Sequence, residues 1–97
     1  METSRNQILS VLSQLKPKLY NDYSVIEIGL FGSFANETND ENSDIDILVE
    51  LEKPIGWKFF TLEIFLENTF NRKIDLVTKS ALKEQIKYDI LSNVKFI

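Results

Sequence analysis

The 97-residue sequence contains no cysteine and no histidine, and only three glycines and two prolines. Without cysteine it can form neither disulfides nor thiolate metal sites, and a reducing cytoplasm is the expected setting. Without histidine, an imidazole general base and the usual zinc sites are excluded. No apolar run approaches the roughly 20 residues of a membrane span, and no signal-peptide core is present, so no membrane association is expected. A cationic excess is lacking too: 11 basic against 15 acidic residues leave a net charge of −4, which argues against a broad DNA or RNA footprint. Chemistry in this chain must use carboxylates, hydroxyls, lysines, backbone amides and metal ions.

Hydrophobic residues at 43% supply one core, and the length suits a single domain spanning residues 1–97. The first helix is expected from about Ser4 to about Leu15: Ser4-Arg-Asn-Gln7 has capping-box spacing, and Ile8, Leu12, Leu15 and Leu19 recur at helical intervals. Pro17 predicts a kink or break near Leu15–Lys16, and Asn21-Asp22 a closing turn. A second long helix is expected over Ile55–Phe70, where Trp57, Phe60 and Ile64 widen the apolar surface beyond what a small sheet covers. That excess points to a protein partner. Asn71 stands where a left-handed cap would end this helix. Ser80 is expected to cap a last helix through Leu82, Ile86 and Ile90, and the apolar tail Val94–Ile97 to add a short strand or dock on a partner. In order, the elements read as an α/β (α+β) domain, a small mixed sheet flanked by helices on both faces.

The chemistry concentrates in one stretch. Val25–Phe31 reads as a buried strand, and Gly32 permits a sharp turn or a close backbone approach. Ser33 is expected to cap a short helix beginning at Phe34-Ala35, whose free N–H groups would face a phosphate. After the polar run Asn36–Ser43, which reads as a solvated loop, a strand over Asp44–Leu51 carries Asp44 and Asp46 on one face and Ile45, Ile47 and Val49 on the other. Two carboxylates about 6–7 Å apart along one strand face repel each other, and a hard divalent cation is the obvious answer. Glu50 continues that face and reads as an exposed strand end. On a third strand, Ile74–Val77, Asp75 alternates with Ile74 and Leu76; if this strand lies beside the Asp44 strand in register, three carboxylates converge.

Gly32-Ser33, ten intervening residues and Asp44-Ile45-Asp46, with Asp75 on a later strand, resemble the signature of the minimal nucleotidyltransferases (MNT) of the polymerase-β-like superfamily. The resemblance covers most of the chain. It departs at Asn36-Glu37, where the family often has Arg-Gly, so that an amide and an acid replace a cation. It implies the polymerase-β-like fold and Mg²⁺-dependent nucleotidyl transfer. Asp44, Asp46 and Asp75 would be both catalytic and metal ligands, holding two Mg²⁺ ions (or Mn²⁺), while Gly32 and Ser33 hold the triphosphate of ATP. It further implies an antitoxin that AMPylates a tyrosine of a HEPN-domain ribonuclease toxin, the two forming a hetero-oligomer. The alternative is an MNT-fold binding module that blocks its partner by contact alone.

Overall fold

The computed structural model describes residues 3–97. Helix α1 (Arg5–Tyr23) leads into β1 (Val25–Phe31), and the one-turn helix α2 (Gly32–Asn36) follows directly. A polar loop then enters β2 (Ile45–Leu51), α3 (Lys58–Phe70) and β3 (Ile74–Thr78). A 3-10 turn at Lys79–Ala81, α4 (Glu84–Asn93) and the two-residue β4 (Lys95–Phe96) complete the order. The four strands make one mixed sheet ordered β3-β2-β1-β4, with β2 and β3 parallel and the other pairs antiparallel. Among the described residues, no helix is long and apolar enough to cross a membrane.

Helix α1 begins as its capping box requires: the Gln7 N–H donates to Ser4 Oγ at 3.3 Å, and the Ser4 N–H to Gln7 Oε1 at 3.2 Å. It does not break at Pro17, nor does it turn at Asn21-Asp22; it runs on to Tyr23 and ends on Ser24 in the left-handed conformation. Proline removes the hydrogen bond that would reach the carbonyl four residues earlier, and here that residue is Ser13. Ser13 and Pro17 both lie on the exposed face, where water can take the orphaned carbonyl, while Leu19 and Tyr23 anchor the last turns in the core.

Strand alternation divides the sheet into two unlike faces. Ile28, Leu30, Ile45, Ile47, Val49, Ile74 and Leu76 point to one side and pack with Ile8, Leu12 and Leu19 of α1 and Leu62 and Leu66 of α3. Each such aliphatic side chain contributes about 1.5–3 kcal/mol on full burial. The opposite face carries Glu27, Gly29, Phe31, Asp46, Leu48, Glu50 and Asp75. Helix α3 starts three residues later than expected, because Gly56 at φ +57° turns the chain before Lys58. Its outer stripe of Trp57, Phe60 and Ile64 is exposed, with Trp57 and Phe60 in ring contact at 5.6 Å. That stripe faces away from the sheet, on the side opposite the acids.

The C-terminal tail becomes an edge strand. Lys95 and Phe96 pair with Leu30 and Gly29, and the Ile97 N–H donates to the Ile28 carbonyl at 3.1 Å. Gly29 makes this possible, since a Cβ there would stand 2.7 Å from Val94 Cγ2 and 2.9 Å from Phe96 Cδ1. Gly29→Val is therefore expected to expel β4 and cost about 1–3 kcal/mol by overpacking. Thermal melts and hydrogen exchange at residues 95–97 would check this; a wild-type melting temperature would show that the tail contributes nothing. Ser80 caps no helix: it sits inside the 3-10 turn, and α4 begins after Lys83 with no side-chain cap.

Candidate active site

Two elements deliver the acids. Strands β2 and β3 run parallel with Asp46 directly opposite Asp75, so the two carboxylates project from neighbouring strands on the same face. Strands lie about 4.8 Å apart, which leaves no room for two bare charges to ignore each other. Asp46 is half-buried and Asp75 exposed. Burial, the neighbouring charge of Asp75, a hydrogen bond shared with it and the charge of Asp44 together push the Asp46 carboxyl up to about 6. Asp44 lies just ahead of β2, at the end of the polar loop rather than within the strand. Among the described residues, no three acidic side chains converge as a ready-made metal cage. The structure thus brings Asp46 and Asp75 together as a pair, with Asp44 near enough for its charge to be felt.

The glycine turn presses on the same pair. Phe31 is the β1 residue opposite Asp46, and Gly32 follows at φ +72°. A Cβ at Gly32 would run into Asp46 Oδ2. The sequence pattern suggested a turn held open for a ligand, but the structure shows that this glycine also makes space for the acid itself. Gly32→Ala is expected to cost about 1–2 kcal/mol through the left-handed backbone alone and to displace Asp46 besides. A melting curve with a parallel transfer assay would test it, and wild-type values in both would show the turn to be indifferent. Ser33 is not the helix cap: α2 begins at Gly32 after Phe31 and has no side-chain cap. Among the described residues the Ser33 hydroxyl makes no hydrogen bond, and it stands half-buried beside Gly32.

A second acidic pair on the same face provides a contrast. Glu27 and Glu50 are register partners on β1 and β2, and Lys79 Nζ reaches both, at 2.7 Å and 3.6 Å. Glu50 is accordingly a half-buried ion-pair member rather than a free strand end. Among the described residues no lysine or arginine pairs with Asp44, Asp46 or Asp75. One pair of acids carries its own cation; the other has none among the described residues. All-oxygen donors, a raised carboxyl and the absence of an internal counter-ion fit a hard divalent metal such as Mg²⁺.

The sequence profile of the nucleotidyltransferase domain matches residues 6–97. The chain belongs to the nucleotidyltransferase domain family. Among its relatives is a candidate protein adenylyltransferase of Methanocaldococcus jannaschii, 45% identical over 78 residues, which are 79% of this chain and 91% of that protein. The protein adenylyltransferase MntA of Thermococcus cleftensis is 40% identical over 92 residues, or 94% of this chain and 93% of the relative. Nearly the whole of each relative is thereby aligned. Among solved structures, a candidate minimal nucleotidyltransferase superposes with a TM-score of 0.81 at 20% identity, covering 97% of this chain and 96% of that one. The tri-AMPylated Shewanella oneidensis HEPN toxin in complex with MNT antitoxin gives a TM-score of 0.68 at 19% identity, covering 95% and 70%. At such identities the superpositions establish the fold: this is a minimal nucleotidyltransferase architecture.

Two arginines near these acids are silent in the sequence pattern. Arg72 Nη1 donates to the carbonyls of Glu41 at 3.1 Å and Ser43 at 2.7 Å, and its guanidinium lies 5.3 Å over the Phe34 ring. Arg5 Nη1 donates to the Ala35 carbonyl at 3.3 Å, and its Nη2 pairs with Glu37 at 3.2 Å. The acid at Glu37, where the family often has glycine, thus meets a cation from α1. For Arg72 the available signal is its place three residues ahead of Asp75; for Arg5 there is none.

Proposed function

We propose that this chain transfers AMP from ATP to a hydroxyl of a protein partner, a tyrosine of a HEPN-domain toxin, and thereby acts as its antitoxin. The observation that carries this is the Asp46–Asp75 pair, matched in register beside the Gly32 turn and lacking an internal cation. Kinship with protein adenylyltransferases supports AMP as the transferred group, and the AMPylated HEPN toxin seen with an antitoxin of the same fold supports the acceptor.

Asp44, Asp46 and Asp75 would hold Mg²⁺, with Mn²⁺ an acceptable substitute, and the ions would supply charge neutralisation at the phosphates and activation of the attacking oxygen. Gly32, with no side chain to intervene, and Ser33 would hold the triphosphate. The acceptor oxygen forms a bond to the α-phosphorus as the bond from that phosphorus to the bridging oxygen breaks, and pyrophosphate leaves. Asp75, the exposed member of the pair, takes the hydroxyl proton.

The second reading, neutralisation by contact alone, draws on the Trp57–Phe60–Ile64 stripe, which lies on the far side of the sheet from the acids. A partner covering that stripe does not by doing so present a hydroxyl to Asp75, so binding and chemistry are separable tasks. Incubating the purified chain with ATP, Mg²⁺ and a HEPN partner, followed by intact mass, decides between the two. A partner heavier by one or more AMP units supports transfer; an inhibited partner of unchanged mass supports contact.

A further inference from the structure

The run from Asn36 to Ser43 contains no apolar residue to bury in the core, and its outside ties at the start, Glu37 to Arg5 and the Thr38 N–H to the Ser33 carbonyl, do not reach its end. Its internal hydrogen bonds are local ones: the Asp40 N–H to Ser43 Oγ, the Asn42 N–H to Asp40 Oδ1 and the Ser43 N–H to the Asp40 carbonyl. Those bonds shape the turn but do not fix it in space. At its far end this loop must deliver Asp44 to the acid pair. The tie that reaches the last residues before Asp44 comes from 29 and 31 positions away, from Arg72.

We propose that Arg72 is the positioning residue of the site: its guanidinium, bonded to the Glu41 and Ser43 carbonyls and lying over the Phe34 ring, fixes Asp44 against the Asp46–Asp75 pair. The inference rests on the reading of those acids as metal ligands given above. Three pieces of the site meet at this one side chain. Phe34 adjoins Ser33 on α2, Ser43 adjoins Asp44, and Arg72 itself lies three residues ahead of Asp75. A single nitrogen, Nη1, serves both carbonyls, while the flat face of the group lies over the ring, a combination that guanidinium offers and ammonium does not. Among the described residues Arg72 pairs with no carboxylate. It therefore holds Asp44 through the backbone and leaves the acids free for a metal.

The test uses the full chain and Mn²⁺ alone, titrated by paramagnetic resonance, with hydrogen exchange read at residues 38–45. In Arg72→Gln the Asn42 and Ser43 amides should exchange at least about tenfold faster, and Mn²⁺ affinity should fall about 10–100-fold, as when a ligand loses its support. Arg72→Lys keeps the charge without the flat group over the Phe34 ring and should lie closer to Arg72→Gln than to wild type. If Arg72→Gln does not fold, Arg72→Lys alone is judged by the same two readings. Faster exchange with wild-type Mn²⁺ affinity would make Arg72 a loop anchor only and overturn the proposal, as would no change in either. Wild type that binds no Mn²⁺ would instead overturn the assignment of the acids, and this inference with it.

Discussion

Asp46→Asn is expected to lower AMP transfer by roughly 10³-fold or more, about 4 kcal/mol of transition-state stabilisation, while making the metal-free protein more stable at neutral pH. The two effects have one cause. Asp46 holds its proton up to about pH 6 in the folded chain, against 3.8 ordinarily, because burial and the charges of Asp75 and Asp44 disfavour its ionised form. Between those values the folded state binds more protons than the unfolded one, so stability falls as pH rises. The contribution is fully present below about pH 4 and is lost as pH passes through about 6. Metal-free wild type should therefore melt at a lower temperature at pH 7.5 than at pH 4.5 as far as this group is concerned, and Asp46→Asn should flatten that slope. Mg²⁺ added at pH 7.5 should raise the wild-type melting temperature and leave the variant nearly unmoved. Scanning calorimetry across pH, with and without Mg²⁺, checks all three. A variant with the wild-type slope and wild-type response to Mg²⁺ would falsify the assignment.

Asp75→Asn separates chemistry from assembly. Asp75 is exposed, packs against nothing in the core, and lies on the sheet face opposite the α3 stripe. Its replacement should leave partner binding within about twofold, since asparagine keeps the side chain's size and the exposed apolar stripe lies on the other face. Loss of the proton acceptor alone should slow transfer about 10²–10⁴-fold. Co-expression with a HEPN partner, followed by size exclusion and intact mass, reads both. The expected result is an intact complex whose partner carries no AMP. An AMP-modified partner in the Asp75→Asn complex would remove Asp75 from the mechanism. A wild-type complex without added AMP, equally protective with Asp75→Asn, would show that contact suffices.

What the sequence made legible was whatever repeats with a short period or acts on its neighbours. Alternation alone placed Ile45, Ile47 and Val49 on one buried face of β2, and all three are inaccessible to solvent. The Ser4–Gln7 box and the left-handed Asn71 cap were readable for the same reason, since each is settled within a few residues. Local rules failed where packing outweighed them. Pro17 does not end α1, because the buried Leu19 and Tyr23 beyond it hold the helix, and Ser33 and Ser80 cap nothing, because the chain turns at other residues. Least legible were the ties across long stretches of sequence. Arg5 to Ala35 and Arg72 to Ser43 each span about thirty residues, and no periodicity records them. The pairing of Asp46 with Asp75 was visible only as a condition on strand order and register, which the sheet then meets.

Because Asp46 and Asp75 meet through strand register, the connection ahead of β2 and the one ahead of β3 differ in how far their lengths can change without unfolding the chain. Side chains alternate with a period of two, so a one-residue slip of β3 would turn Asp75 toward the helix-packed face and leave Asp46 unmatched. The short link from Phe70 to Ile74 therefore tolerates almost no gain or loss of residues. Residues 37–40, upstream of the carbonyls held by Arg72, have no such bond between count and facing. Doubling the length of a loop there costs only about 0.6 kcal/mol in closure entropy. Random-insertion libraries selected for folding alone should keep insertions ahead of β2 and almost none between α3 and β3, whereas selection for activity should also hold the ten-residue spacing between Ser33 and Asp44.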